Sequence, residues 1–319
     1  MIEKFKQEVD QGLRMDPKQL PSKYFYDKKG DALFVEIMKL PEYYLTRAEH
    51  DIFKNRTEDL IELLGFGAGD YLELIELGAG DGTKTVELLR ALCEKDHPFE
   101  YCPVDISENA LKMLESDLNR KCPKLRLKPL RGDYFEVLER LKDTHHKKVV
   151  LFLGSNIGNL RDEKASVFLH ELDQTMNLGD RLLLGVDLIK SESIVLPAYN
   201  DSRGVTSEFN LNLLSRINRE LDADFDLDGF VHKPEYDEQT GIAASYLESQ
   251  QEQKVQINGM GVYSFKKGER ILTEISRKYN DEILSEILES TRFEIVDKIL
   301  DKDKLFADYI LEITEKADS

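Results

Sequence analysis

No stretch of this chain approaches the roughly 18 consecutive apolar residues that a bilayer-spanning helix needs, so no membrane partner is expected. The start, MIEKFKQEVDQGL, is charged throughout, so no secretory signal is expected. Cysteine is scarce: Cys93, Cys102 and Cys122 are the three present, and none shares C-x-x-C spacing. Together these features predict reduced thiols and a cytoplasmic location. The six histidines form neither an H-x-x-x-H pair nor a mixed Cys/His cluster, and no metal site is expected. Positive charge is also short, with 44 Lys and Arg against 62 Asp and Glu and a net charge of −18. A polyanionic surface repels phosphate backbones, which argues against a nucleic-acid partner and for a small molecule or a protein side chain as substrate.

What is present is enough for a full α/β core and a second module: 319 residues, 41% of them hydrophobic. Strand-like runs at Tyr71–Leu77, Glu100–Ile106, Leu125–Leu130, Val149–Gly154 and Arg181–Asp187 alternate with helical patterns at Thr83–Glu94, Ser107–Lys121, Tyr134–Lys142 and Arg161–Met176. Ser107 is a natural N-cap for the second of these helices. The nearly continuous apolar runs VVLFLG and RLLLGVDLI suit central parallel strands covered on both faces. The pattern predicts a doubly wound sheet. It closes with a helix at Asp281–Glu289 and strands at Phe293–Leu300 and Phe306–Ile313.

Residues 191–277 break the alternation. A helix over Val205–Leu221 leads to the acidic run DADFDLDG, and EQTG turns between strands at Val231–Tyr236 and Ile242–Glu248. The acidic run lacks the spacing and closing Glu of a calcium loop and reads as a solvated turn. The first sixty residues also lie outside the alternation and are rich in aromatics. Residues 1–60 plus 191–277 are therefore expected to form a substrate-binding lobe, and 61–190 plus 278–319 the doubly wound core.

The run IELGAGDGTKT, Ile75 to Thr85, carries the sharpest chemical signal. An apolar strand ends in Gly78, Gly80 and Gly82, and the helix Lys84–Leu92 follows. Glycines there allow a sharp turn and close approach to a ligand. Dinucleotide sites use G-x-G-x-x-G because a pyrophosphate sits on the helix start. Here the spacing is G-x-G-x-G with Asp81 in the middle, and that carboxylate would repel a pyrophosphate. S-adenosylmethionine (SAM) has no phosphate and carries cationic groups, so it fits better. Asp105, at the end of the next strand, is placed to accept ribose hydroxyls.

Other candidates are weaker singly. Asp133 and Tyr134 follow the third strand, where an acid and a ring suit adenine, although Asp133 is equally a helix N-cap. Gly154 to Leu160, GSNIGNL, leaves room for a substrate, and Asn156 or Asn159 can donate and accept hydrogen bonds. A plain turn would use the same residues. Glu274 and Ser276 are two apart, so in an extended run both face one way and Thr273 and Ile275 the other. That pair can read a side chain with two polar nitrogens, or mark a solvent face.

Together these segments resemble the L-histidine Nα-methyltransferase family of ergothioneine biosynthesis. The resemblance covers nearly the whole chain and rests on LPSKYFYDKKGDALFVEIMKLPEYYLTRAEH, IELGAGDGTKT, LFLGSNIGNL, LLLGVDLIKS, AYNDSRGVTSEFNLNLLSRINRELDADFD and GERILTEISRKY. It implies a Rossmann-like class I SAM-dependent methyltransferase core with an α+β substrate-binding lobe, and trimethylation of the histidine α-amine to hercynine by a cytoplasmic monomer. It further implies that Tyr43, Asn159 and Tyr199 hold the amine and carboxylate, with Tyr43 and Asn159 nearest the chemistry. Tyr26, Phe34 and Gly154 would line the substrate site, and Glu274 and Ser276 would read the imidazole. Gly78, Ala79, Gly80, Lys84, Asp105, Asp133 and Tyr134 would hold SAM. The chain departs from the family at Asn156, where Thr is usual, and at Tyr24, where Trp is common. A third departure is Ser245, in place of a methionine on the substrate pocket. The competing readings are methylation of another amino acid or small amine, and SAM binding without turnover.

Overall fold

The computed structural model describes residues 2–66, 69, 71–80, 82–142, 144 and 146–315. They divide into two compact units, Met1–Tyr44 with Lys190–Arg277, and Leu45–Ile189 with Lys278–Ser319. The boundary expected at residue 60 therefore falls at 44. The helices Leu45–Asn55 and Thr57–Leu63 supply Ala48, Ile52, Phe53, Leu60 and Ile61 to the core of the second unit, where burying them is worth more than leaving them in a linker.

The second unit is built on a seven-stranded sheet in the order Phe293–Leu300, Phe306–Ile313, Arg181–Asp187, Lys147–Phe152, Leu72–Leu77, Phe99–Asp105, Leu130–Arg131. Phe306–Ile313 runs antiparallel to both neighbours, and the remaining pairings are parallel. Alternate residues of the central strands feed two separate cores. Val149, Leu151 and Leu183 pack on one side, and Val150, Phe152, Leu182 and Leu184 on the other. Helices on both faces make this the doubly wound Rossmann-like arrangement. Strand order reverses at Leu72–Leu77, so its carboxyl end is a topological switch point, where such sheets bind ligands.

One expected strand is shorter than its apolar pattern suggests. Of Leu125–Leu130, only Leu130 belongs to a strand, Leu130–Arg131, although the amide of Lys128 and the carbonyl of Arg126 still bond Tyr101. Pro129 has no N–H to give and interrupts the ladder at the sheet edge. The strand expected at Val149–Gly154 ends at Phe152, because Gly154 turns the chain with φ +75°.

The first unit holds a four-stranded sheet in the order Lys18–Gln19, Arg270–Arg277, Ile242–Ser249, Phe230–Asp237, and a separate hairpin of Gln253–Ile257 with Gly261–Phe265. The helix Val205–Leu221 places Phe209, Leu213, Leu214, Ile217 and Leu221 on one stripe, at helical spacing, in a core shared with Leu247 and Ile271. Asp201 caps its start, accepting from the amides of Val205 (3.0 Å) and Thr206 (2.7 Å). The acidic turn after it folds inward at one point: Asn218 clasps the backbone of Phe225, whose ring is buried.

Candidate active site

In the second unit the glycine loop lies at the switch point. Gly78 has φ +74°, and a Cβ there would lie 2.7 Å from the Tyr134 hydroxyl. Only glycine lets that phenol close over the loop. Gly80 has φ +57° and open space beyond it, and Ala79 is buried beneath. Asp81 lies outside the described residues. Asp105 ends the neighbouring strand and accepts the Ser107 amide at 2.7 Å. Ser107 in turn caps the helix Glu108–Lys121, as its sequence position suggests. Asp133 caps the helix Tyr134–Leu141, accepting from the Phe135 amide at 3.1 Å. Burial, then the carboxylates of Asp105 and Asp133, push the Tyr134 phenol up to about 12. Gly78, Asp105, Asp133 and Tyr134 are thus gathered around one loop.

A buried cluster lies alongside it. Lys84 is ion-paired with Glu49, whose other oxygen accepts the Gly154 amide at 2.7 Å. Glu49 is thus shared between the helix start after the glycine loop and the loop after Lys147–Phe152. Thr85 (2.9 Å) and Tyr101 donate to Glu76, whose carboxyl burial pushes up to about 7. Asp308 is fully buried with neither oxygen hydrogen-bonded among the described residues, and burial then Glu49 hold its carboxyl well above the usual range. Sequence reasoning found Lys84 and missed Glu49, Glu76 and Asp308. The one accessible signal was the acid in the run LTRAEH. Carboxylates around the loop, with its lysine already paired, suit a ligand bearing hydroxyls and cationic groups and disfavour a pyrophosphate. The residues present therefore fit SAM. Gly154 and Asn159 belong to this unit by fold and are exposed on the loop after Lys147–Phe152.

In the first unit Tyr26, Phe34 and Tyr43 form an aromatic row, with Tyr26–Phe34 and Phe34–Tyr43 ring centroids 5.6 and 6.3 Å apart, both edge-to-face. Tyr26 is 43% exposed on one side and densely packed on the other, against Phe209 at 5.7 Å. Its phenol is raised by lost solvation first, then by Glu274, Asp31 and Tyr199, which places Glu274 and Tyr199 within electrostatic reach. The Tyr199 hydroxyl donates to Ser276 Oγ at 2.7 Å, both groups being buried. Glu274 pairs across the sheet with Ser245, and Ser276 with Ala243, so Glu274, Ser245 and Ser276 share a face. Thr273 does not face away from that pair. Its hydroxyl lies 2.8 Å from Asn210 Oδ1 of the helix packed on the same core, because the strand is not regular there.

Comparison with known proteins finds similarities along nearly the whole chain. Residues 5–313 match the model of a family described as histidine-specific methyltransferase, SAM-dependent. The chain is 36% identical over 287 residues to the histidine N-alpha-methyltransferase of Mycolicibacterium smegmatis, covering 88% of this chain and 86% of that one. It is 30% identical to ergothioneine biosynthesis protein 1 of Schizosaccharomyces pombe, over 83% of this chain and 35% of that longer one. Among solved structures it resembles magnesium protoporphyrin IX methyltransferase from Synechocystis with bound SAH, with a TM-score of 0.47 and 13% identity over 92% of this chain and 97% of that one.

Proposed function

The chain belongs to the SAM-dependent, histidine-specific methyltransferase family, and from that premise we propose that it transfers three methyl groups to the α-amine of L-histidine, giving hercynine. Its seven-stranded unit is a class I SAM-dependent methyltransferase core, and the enzyme acts on histidine. The observation that carries the proposal is the polar face formed by Glu274, Ser245 and Ser276, with Tyr199 bonded to Ser276.

Bound SAM supplies an electrophilic sulfonium methyl. The protein's task is to present a neutral amine in line with it and to exclude water. Gly78, Gly80, Asp105, Asp133 and Tyr134 hold the cofactor, and Lys84, braced by Glu49, orders the start of the following helix. On the first unit, Glu274 accepts the imidazole N–H. Ser276, whose oxygen accepts from Tyr199, meets the other imidazole nitrogen. The pair thereby selects a neutral tautomer. Ser245, buried opposite Glu274, makes that wall polar, which suits an imidazole better than an aliphatic chain.

An ammonium has no lone pair, so each cycle begins with loss of a proton. Tyr43 passes it to water, and no strong base is required. Each methyl removes one N–H donor, so the amine's own contacts weaken as the reaction proceeds. Asn159, both donor and acceptor, and Tyr199 keep hold of the carboxylate, while the imidazole contacts stay constant. Loss of one charged hydrogen bond costs about 1.5–3 kcal/mol, or roughly ten- to a hundred-fold in affinity. Glu274→Ala is therefore expected to raise the KM for histidine by that factor and to leave an apolar amino acid nearly unaffected. Equal losses for both in steady-state assays would refute the recognition role.

A further inference from the structure

A regular strand alternates faces, so Ile271, Thr273 and Ile275 would share one face of Arg270–Arg277, and Glu274 and Ser276 the other. The register departs from this. Leu272 pairs with Tyr246 and Glu274 with Ser245, two adjacent partners, so Thr273 is the extra residue of a β-bulge. Beyond it Glu274 and Ser276 stand opposite Ser245 and Ala243. That is the face on which Ile271 and Leu247 enter the core, one unbulged register step from where the sequence would put them.

The bulge is pinned from two sides. Thr273 Oγ1 lies 2.8 Å from Asn210 Oδ1 and 2.9 Å from the Ser245 carbonyl. Asn210 is fully buried on the helix Val205–Leu221 and donates from Nδ2 to the Thr206 carbonyl at 3.1 Å, which fixes its amide with Oδ1 toward Thr273. On the strand's other edge, pairing with Lys18–Gln19 stops at Leu272. Past the bulge, that neighbour no longer holds the register.

We infer that Thr273 and Asn210 are positioning residues for substrate recognition: their contact holds the bulge that turns Glu274 and Ser276 onto the face of Ser245. This rests on the reading of Glu274 as the imidazole acceptor. Removing the hydroxyl takes away the one proton shared by the buried Asn210 Oδ1 and Ser245 carbonyl oxygens and relaxes the strand toward regular alternation, which swings Glu274 away.

The test is steady-state kinetics on purified variants, with thermal unfolding recorded beside it. Thr273→Val is expected to raise the KM for histidine about tenfold while the KM for SAM stays near the parent value. Thr273→Ser, which keeps the hydroxyl, should remain folded and restore the histidine KM. Asn210→Ala withdraws the same contact from the helix side and should reproduce the loss if Thr273→Val does not fold. An unchanged histidine KM in either folded variant overturns the inference, as does a tenfold rise in Thr273→Ser or a parallel rise in the SAM KM. Glu274→Ala runs as the control. If it alone raises the histidine KM, the bulge is not the positioning device. If even Glu274→Ala leaves that KM unchanged, the recognition reading itself has failed.

Discussion

His232 shows how strongly this fold specifies single side chains. It sits on the strand Phe230–Asp237, buried, with Nε2 lacking a partner among the described residues. Burial pushes its imidazole down to about 4, with the nearby Asp201 carboxylate opposing. A solvated histidine titrates near 6.5, so between those values the unfolded chain binds a proton that the folded chain refuses. Stability is therefore complete above about pH 6.5 and falls as pH drops toward 4, by about 3 kcal/mol over the full window. Urea unfolding at neutral pH and near pH 5 should show this slope, and His232→Leu should flatten it. An identical slope in the variant would contradict the assignment. Gly78 and Asp105 stand in short local runs at strand ends, so the sequence alone is enough to draw attention to them. Glu49 is not legible in this way, since its partners Lys84 and Gly154 stand 35 and 105 positions away and meet it only after folding.

Elements were legible where pattern and burial agree. Arg181–Asp187, Val205–Leu221, Phe293–Leu300 and Phe306–Ile313 have the bounds their periodicity suggests. The hairpin of Gln253–Ile257 and Gly261–Phe265 escaped notice because each short strand anchors itself with only two buried apolar residues, Val255 and Ile257, and Tyr263 and Phe265. The bulge at Thr273 was unreadable for a different reason: alternation counts residues on one strand, and a bulge exists only relative to its partner. The glycine loop gives an element-scale expectation. Gly78→Ala combines a left-handed φ with a Cβ that would meet the Tyr134 hydroxyl, so the phenol must move off the loop. SAH affinity measured by calorimetry should fall roughly five- to 150-fold, for a cost of about 1–3 kcal/mol. Unchanged affinity would show that Tyr134 does not cover the cofactor.

For the whole molecule, composition bounded the answer before any element was placed. A net charge of −18 disfavours a phosphate-backbone partner, and among the described residues no helix is long and apolar enough to cross a membrane. The interleaving of two units was visible as a break in strand–helix alternation. The exact seam was not, because Leu45–Asn55 and Thr57–Leu63 carry apolar stripes that either unit could have buried. The reaction proposed for this protein is complete methylation of the histidine α-amine. Incubating the purified enzyme with SAM and a mixture of free amino acids, followed by mass spectrometry with fragmentation, tests it most directly. The expected result is histidine carrying three methyl groups on its α-nitrogen, with three SAH released per product. Methylation of a different amino acid, or of an imidazole nitrogen, would contradict the account.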